Sequence, residues 1–510
     1  MSARSRHRLT LLAAASLLAG GALAAAACSD DPARPQFEPP EAGGDVVVLP
    51  ETSAPDVATP PEVRDPFDPS PEPVVCAADA SPCAVELTAG SRHVCARMKD
   101  GTVRCWGDDT RGSLGARAPR GDAGAGDAGD AGPGDGGAGD AGGSVVNTVY
   151  GLANVAQISA AGATTCARLE DGGVVCWGAN TDGLLGLTNK GAPITDEDPH
   201  PIPSSIALPS AASRVDVGPS AACAVLTAGP VVCWGRDDQK QLARAPFDAG
   251  GAYPPIGAPA PAELPGLQVA RVAGGTFSGL ALTASGEVWS WGALAGDLGL
   301  VSGRVSSVSP DRTPRRIVQL EKVTSLAISP TITPEPPPPD DDGVGTSGGI
   351  GIGLGPIPFP PEPVPHAHAC AIAAGEVYCW GRSERGALCS GIPDPSQVPL
   401  HAPIRTKAWP QQLSVGDEST CARMTDGTVM CCGDDTRGRL GTGKLVVHSA
   451  FFTKAEAFTG RAVQVVNTND SVCALVQGGT VECWGDNRHG ELGRGKPDAL
   501  AHPTPAKVAF

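Results

Sequence analysis

The chain has 510 residues with 55 acidic against 38 basic side chains, a formal net charge of -17. That balance disfavours nucleic acid as a partner, because phosphate backbones select basic surfaces. With 4% aromatic residues but 17 cysteines, the packing must rest on Val, Ala, Leu and cysteine pairs.

Arg4, Arg6 and Arg8 precede an unbroken small and apolar stretch, Leu9 to Ala27, that ends in Ala25-Ala26-Ala27 before Cys28. This is the pattern of a bacterial-type signal peptide over residues 1–27. Cys28 followed by Ser29-Asp30-Asp31 resembles a lipoprotein processing site, in which the cysteine becomes the diacylated first residue. Ala25 stands where such sites usually carry Leu. Setting Cys28 aside leaves 16 cysteines, an even number that can pair completely in an oxidising compartment. The expected location is therefore the outer membrane or cell surface, through a lipid on Cys28, with the periplasm as the alternative. Ordinary cleavage after Ala27, or a retained apolar anchor, are the other readings.

Residues 28–74 are Pro-rich and acidic, as in Asp65-Pro66-Phe67-Asp68-Pro69, and cannot form a core. They read as a disordered tether. Beyond it, residues 75–510 carry seven copies of a hairpin that ends in a variant of Val-x-Cys-Trp-Gly: Cys95 to Gly107, Cys166 to Gly178, Cys223 to Gly235, Leu280 to Gly292, Cys370 to Gly381, Cys421 to Gly433 and Cys473 to Gly485. Apolar runs separated by Asp-Gly or a similar pair predict β-hairpins, the first with the loop Lys99-Asp100-Gly101. A Val-rich segment ahead of each hairpin and a Pro-led stretch beside it bring the unit to about four strands, one propeller blade. The motif Trp, or its replacement, falls at Trp106, Trp177, Trp234, Trp291, Trp380, Cys432 and Trp484, with spacings of 71, 57, 57, 89, 52 and 52. The period is thus near 52 with insertions. Two of these are low-complexity: 116–142, with Asp122, Asp127, Asp130, Asp135 and Asp140 in a Gly/Ala background, and 331–365. The spaced acids invite a calcium reading, but the apolar residue of calcium β-rolls is missing, which favours disorder.

The expected fold is all-β, a seven-bladed β-propeller of about four-stranded blades. The C-terminal stretch Thr504 to Phe510 matches the Pro-led strand of other units, so it is expected to join blade one and close the ring.

These units resemble the regulator of chromosome condensation repeat, with its Gly, frequent His, Ala-Leu, Gly turn, Val-x-x-Trp-Gly-x-Asn and Gly-x-Leu-Gly. The resemblance covers roughly residues 83–510 and implies a seven-bladed propeller. The family's founder acts on a nuclear GTPase and chromatin. An exported acidic chain would meet neither, so guanine-nucleotide exchange is not expected.

Opposed positions of a hairpin lie within disulfide reach. They predict Cys95 with Cys105, Cys166 with Cys176, Cys223 with Cys233, Cys370 with Cys379, Cys421 with Cys431 and Cys473 with Cys483. Blade four changes both positions together, to Leu280 and Ser290, as expected of a pair; unbridged buried thiols are the bland alternative. Cys76 with Cys83 would bridge locally. Cys389 replaces the final Gly of a Leu-Gly turn and Cys432 replaces a motif Trp, so those two could pair.

Asp109, Asn180, Asp237, Asp435 and Asn487, two residues after each Trp-Gly, suit turns. His93 and His368 occupy the family's His position, but Thr164, Ala221, Ser278, Ser419 and Ser471 stand elsewhere, which does not look catalytic. No nucleophile elbow, phosphate loop or metal-binding His motif appears. The expectation is a non-enzymatic, monomeric scaffold without cofactor or metal that binds a protein or glycan through rim loops. The alternatives are an enzyme inhibitor of the β-lactamase-inhibitor propeller type and an envelope polysaccharide hydrolase or lyase.

Overall fold

The computed structural model describes residues 67, 70, 72–76, 82–115, 146–190, 192–244, 257–293, 310–329, 367–382, 385–392 and 395–510. The expected signal peptide 1–27, the expected lipidation of Cys28, most of the expected tether and the insertions 116–142 and 331–365 lie outside the described residues.

Seven four-stranded antiparallel sheets form the ring. Blade one consists of Ala84–Ala89, His93–Met98, Val103–Gly107 and Asn147–Thr148, and blade seven of Ala462–Asn467, Ser471–Val476, Val481–Asn487 and Asp498–Lys507. The first strands of all seven blades line a central channel. The hairpin of strands two and three carries the buried core of each blade. Its turn is built as the sequence indicates: Met98 N donates to Thr102 O at 2.8 Å, Gly101 has a φ of 79°, and Asp100 Oδ1 accepts the Thr102 amide at 3.0 Å. In blade five the hairpin is shorter by one residue, because Ala374 and Gly375 both have positive φ, 51° and 86°, as a two-residue primed turn demands.

The expected closure by the C-terminal strand is corrected. Asp498–Lys507 pairs with the third strand of blade seven itself, and blade one takes its own fourth strand, Asn147–Thr148, from beyond the first insertion. The ring instead closes through side chains. Phe510 meets Trp106 edge-on with ring centroids 5.7 Å apart, and Val508, Leu492 and Val463 share one core with Leu87 and Met98.

Two repeated devices join the blades. The first is the motif Trp, whose indole N–H donates to a loop carbonyl of the preceding blade. Trp106 reaches Glu491 O at 2.8 Å, Trp177 reaches Ser113 O at 3.0 Å, Trp234 reaches Leu184 O at 2.8 Å, Trp291 reaches Gln241 O at 2.7 Å and Trp484 reaches Arg439 O at 2.9 Å. The second lies at the channel. Each first strand carries a register shift just before its third residue, and a bulge of this kind re-aims the side chain that follows. Gln464 accepts from Leu87 N at 2.8 Å and donates to Leu87 O at 2.7 Å, and Gln157 and Gln412 bracket Val215 and Val465 in the same way. These brackets satisfy backbone groups on the channel edge of the next blade, which would otherwise lack partners.

The end of the expected tether is part of this ring. Phe67 packs edge-on against Trp409 with centroids 5.7 Å apart, Glu72 pairs with Arg461 at 2.9 Å, and Val75 N donates to Gln477 O at 2.8 Å. The described residues of this stretch, 67, 70 and 72–76, therefore dock on blades six and seven, at the end of the ring that carries the hairpin turns.

Candidate functional site

The two ends of the ring differ. One, the turn face, carries the tight hairpin turns and the docked segment 67–76. The other, the Trp-Gly face, carries the loops between strands one and two and between strands three and four. On this second face the loops of blades five to seven hold an arginine and carboxylate ladder that crosses from blade to blade.

Arg385 of blade five pairs with Glu418 at 3.2 Å and Asp434 at 2.9 Å in blade six. Arg439 of blade six joins Asp434 at 2.9 Å to Asp470 of blade seven at 2.6 Å. Arg488 then bridges Asp470 at 3.4 Å and Asp486 at 2.6 Å. The centre of the ladder is buried, with Arg439 4% and Asp434 2% exposed, whereas Arg385 and Arg488 are 45% and 41% exposed. The outer arginines thus present charge to solvent from a rigid frame, as suits recognition of an anionic or hydrogen-bonding surface. Every carboxylate named here has an arginine partner.

The residues singled out in the sequence fall around this face in structural roles. The side-chain oxygen of Asp109, Asn180, Asp237, Asp435 and Asn487 accepts the amide five residues on, at Leu114, Leu185, Leu242, Leu440 and Leu492, over 2.8 to 3.3 Å. These bonds shape the loop that offers its carbonyl to the next blade's Trp. His93 and Thr165 share a hydrogen bond of 2.7 Å across the seam between blades one and two, and His368 and Thr420 one of 2.9 Å between blades five and six. The six hairpin cysteine pairs face each other as register partners with Cα atoms 4.1 Å apart, while Leu280 faces Ser290 in blade four. Cys76 and Cys83 lie 6.0 Å apart, and Cys389 and Cys432 5.6 Å apart across the seam between blades five and six. So many cysteine pairs at bonding distance suit an oxidising compartment.

Sequence reasoning missed the ladder and the channel brackets. One signal was present: the third residue of every first strand is polar, namely Glu86, Gln157, Arg214, Arg271, Ser325, Gln412 and Gln464.

Two buried groups give opposite pH signatures. Desolvation pushes His93 down to about 4, with Asp108 acting weakly the other way. The unfolded chain then binds the extra proton, so this group's contribution is full above 6.5 and is lost as pH falls to about 4, some 3 kcal/mol in all. Glu491 is pushed up to about 7, first by burial and then by Asp486 and Asp470, against hydrogen bonds that lower it. Its contribution is full below 4.5 and is lost as pH rises to about 7, by a similar amount. The two slopes oppose one another over the shared window, so single variants should reveal them. His93→Gln is therefore expected to unmask the decline towards neutrality due to Glu491, and Glu491→Gln to unmask the loss of stability on the acid side due to His93. Urea midpoints between about pH 4 and pH 8 check both; variants that keep the wild-type pH profile would refute the assignment.

The family model described as Regulator of chromosome condensation (RCC1) repeat matches residues 84–113, 155–184 and 411–439, within blades one, two and six. The chain is similar to the E3 ubiquitin-protein ligase HERC2 of Homo sapiens, with 24% identity over 365 residues. The match covers 69% of this chain and only 6% of the length of that relative. Among solved structures it is similar to human WBSCR16, with a TM-score of 0.57, 18% identity and 81% and 95% of the two chains covered. The structure of Prp20p from Saccharomyces cerevisiae gives a TM-score of 0.51, 17% identity and 69% and 76% coverage. At such identities the neighbours show the fold, and the repeats supply the kinship. Three of the seven blades thus carry the regulator of chromosome condensation repeat, and the chain as a whole is a seven-bladed propeller.

Proposed function

We propose that the protein is an exported, membrane-anchored propeller scaffold that binds a protein or glycan through its Trp-Gly face and performs no catalysis. The observation that carries this reading is the docking of residues 67–76 on the turn face. A tether from a lipid on Cys28 would reach the ring there, which turns the Trp-Gly face outward. That face also carries the loops free to vary around a fixed frame, where binding residues collect. The arginine partner on each carboxylate of the ladder supports binding over acid and base chemistry, which needs carboxyl groups facing a substrate.

Affinity capture with the full processed chain against envelope extract tests the reading. A reproducible protein or glycan partner is expected, and it should be lost when the exposed ladder arginines are reversed, Arg385→Glu with Arg488→Glu. No partner, or one retained by that variant, would sink the proposal. Fatty-acid labelling lost on Cys28→Ala checks the anchor separately.

A further inference from the structure

The channel brackets fail at one seam. At six of the seven seams a side chain of one first strand bonds the backbone of the next. Beyond the three glutamines, Glu86 accepts from Ile158 N at 3.5 Å, Asp216 from Val272 N at 3.1 Å and Ser325 from Leu413 N at 3.2 Å. In blade three the third residue is Arg214 and Asp216, two residues on, serves the seam instead; in blade four the third residue is Arg271, which is the residue placed to bracket Leu326 of blade five. No such bond is present among the described residues. Arg271 instead lines the channel, its side chain 39% exposed and its Nε shielded from solvent with no hydrogen-bond acceptor.

The charges around it are uneven. Glu86 is engaged by Arg97 at 2.8 Å, and Asp216 by Arg214 at 2.8 Å. Arg271 stands 3.7 Å from Asp216 as a second cation on a carboxylate that already has one. Glu72 at the turn-face mouth is held by Arg461. The wall formed by blades three and four therefore carries one uncompensated positive charge inside a cavity of about 590 Å³, a size typical of small-molecule sites. The other walls offer Thr88, Gln157, Ser159 and Ser414 as hydrogen-bonding groups, and Arg423 of blade six adds a further cation to the lining.

We propose that the central channel binds a small solute bearing a carboxylate or phosphate group, held by the Arg271 guanidinium with Arg214 beside it. Guanidinium matches such oxyanions by paired, charge-assisted hydrogen bonds. A merely structural role would be served better by glutamine, which brackets three other seams. This inference concerns the channel and stands apart from the rim reading; either can fail alone.

Calorimetric titration of the full chain with succinate and with inorganic phosphate, at low and high salt, tests it. Saturable, salt-weakened binding of at least one probe is expected; the one that binds identifies the oxyanion. Arg271→Gln should weaken that binding at least tenfold, roughly the worth of a charged hydrogen bond, while raising the melting temperature through new bonds to Leu326. Arg271→Lys should keep part of the binding. Binding of neither probe, or equal binding by Arg271→Gln, would overturn the proposal.

Discussion

Replacing Cys432 by Trp alone is expected to destabilise the propeller by more than about 4 kcal/mol, and adding Cys389→Gly should recover most of that loss. Blade six is the one blade whose motif Trp is absent, and blade five the one whose Leu-Gly loop ends in cysteine. The two changes belong together. In the neighbouring seams the loop glycine makes room for the indole: a Cβ on Gly441 would lie 2.8 Å from Trp484 Nε1, and one on Gly493 would lie 3.0 Å from Trp106 Cδ1. The seam of blades three and four accommodates the methyl of Ala243 beside Trp291, but the longer cysteine side chain at 389 would crowd an indole at 432. A disulfide between Cys389 and Cys432, 43 residues apart, would be worth about 4 kcal/mol for a loop of that length; the single variant forfeits it and adds overpacking of about 1 to 3 kcal/mol. The double variant restores the indole, its burial and its hydrogen bond to Ala387 O. Equilibrium unfolding in denaturant checks the pair; a double variant no more stable than Cys432→Trp would refute the exchange of one clamp for another.

Arg439→Met is expected to cost about 3 kcal/mol, against less than about 1 kcal/mol for Arg488→Met. Removing one member of a buried ion pair leaves an uncompensated charge at about 3 to 5 kcal/mol. The lower end applies because Asp434 keeps Arg385 at 2.9 Å. Arg488 is 41% exposed, and partners at such sites contribute little. Urea midpoints of the two variants decide the matter. Equal losses would mean that burial does not set the strength of the ladder.

The parts of the fold legible in the sequence were those written within one blade. The hairpin, its Asp-Gly turn and its opposed cysteines depend on residues about ten apart, and seven copies repeat the signal. What the sequence concealed lies at the seams, where Trp106 meets Glu491 and Gln464 meets Leu87, pairs separated by 385 and 377 positions. The polar third residue of each first strand repeats, but no local period records which distant residue it meets. The mistaken ring closure has the same root: the Pro-led C-terminal strand suits the edge of any blade, and blade one's own Asn147–Thr148 is separated from its hairpin by the first insertion. The candidate face was hidden for a different reason. Arg439 and Arg488 occupy loop positions that hold other residues elsewhere, and although Arg385 shares its position with Arg111 and Arg437, the carboxylates it meets lie in the next blade.

The docked segment has a mechanical consequence. If the chain is pulled from its N-terminal side, force enters at residues 67–76 and is spread first over the contacts of Trp409, Arg461 and Gln477 in blades six and seven. The pairing of Cys76 with Cys83 then bypasses the intervening residues, carrying load straight to the strand that opens blade one, where Ala84 N is bonded to Gly479 O at 2.9 Å. Tension thus falls across the one seam that covalent continuity of the chain does not span. Both sides of that seam are held by the segment that pulls on it, so a tug on the stalk is shared by the two ends of the ring rather than peeling one blade from the next.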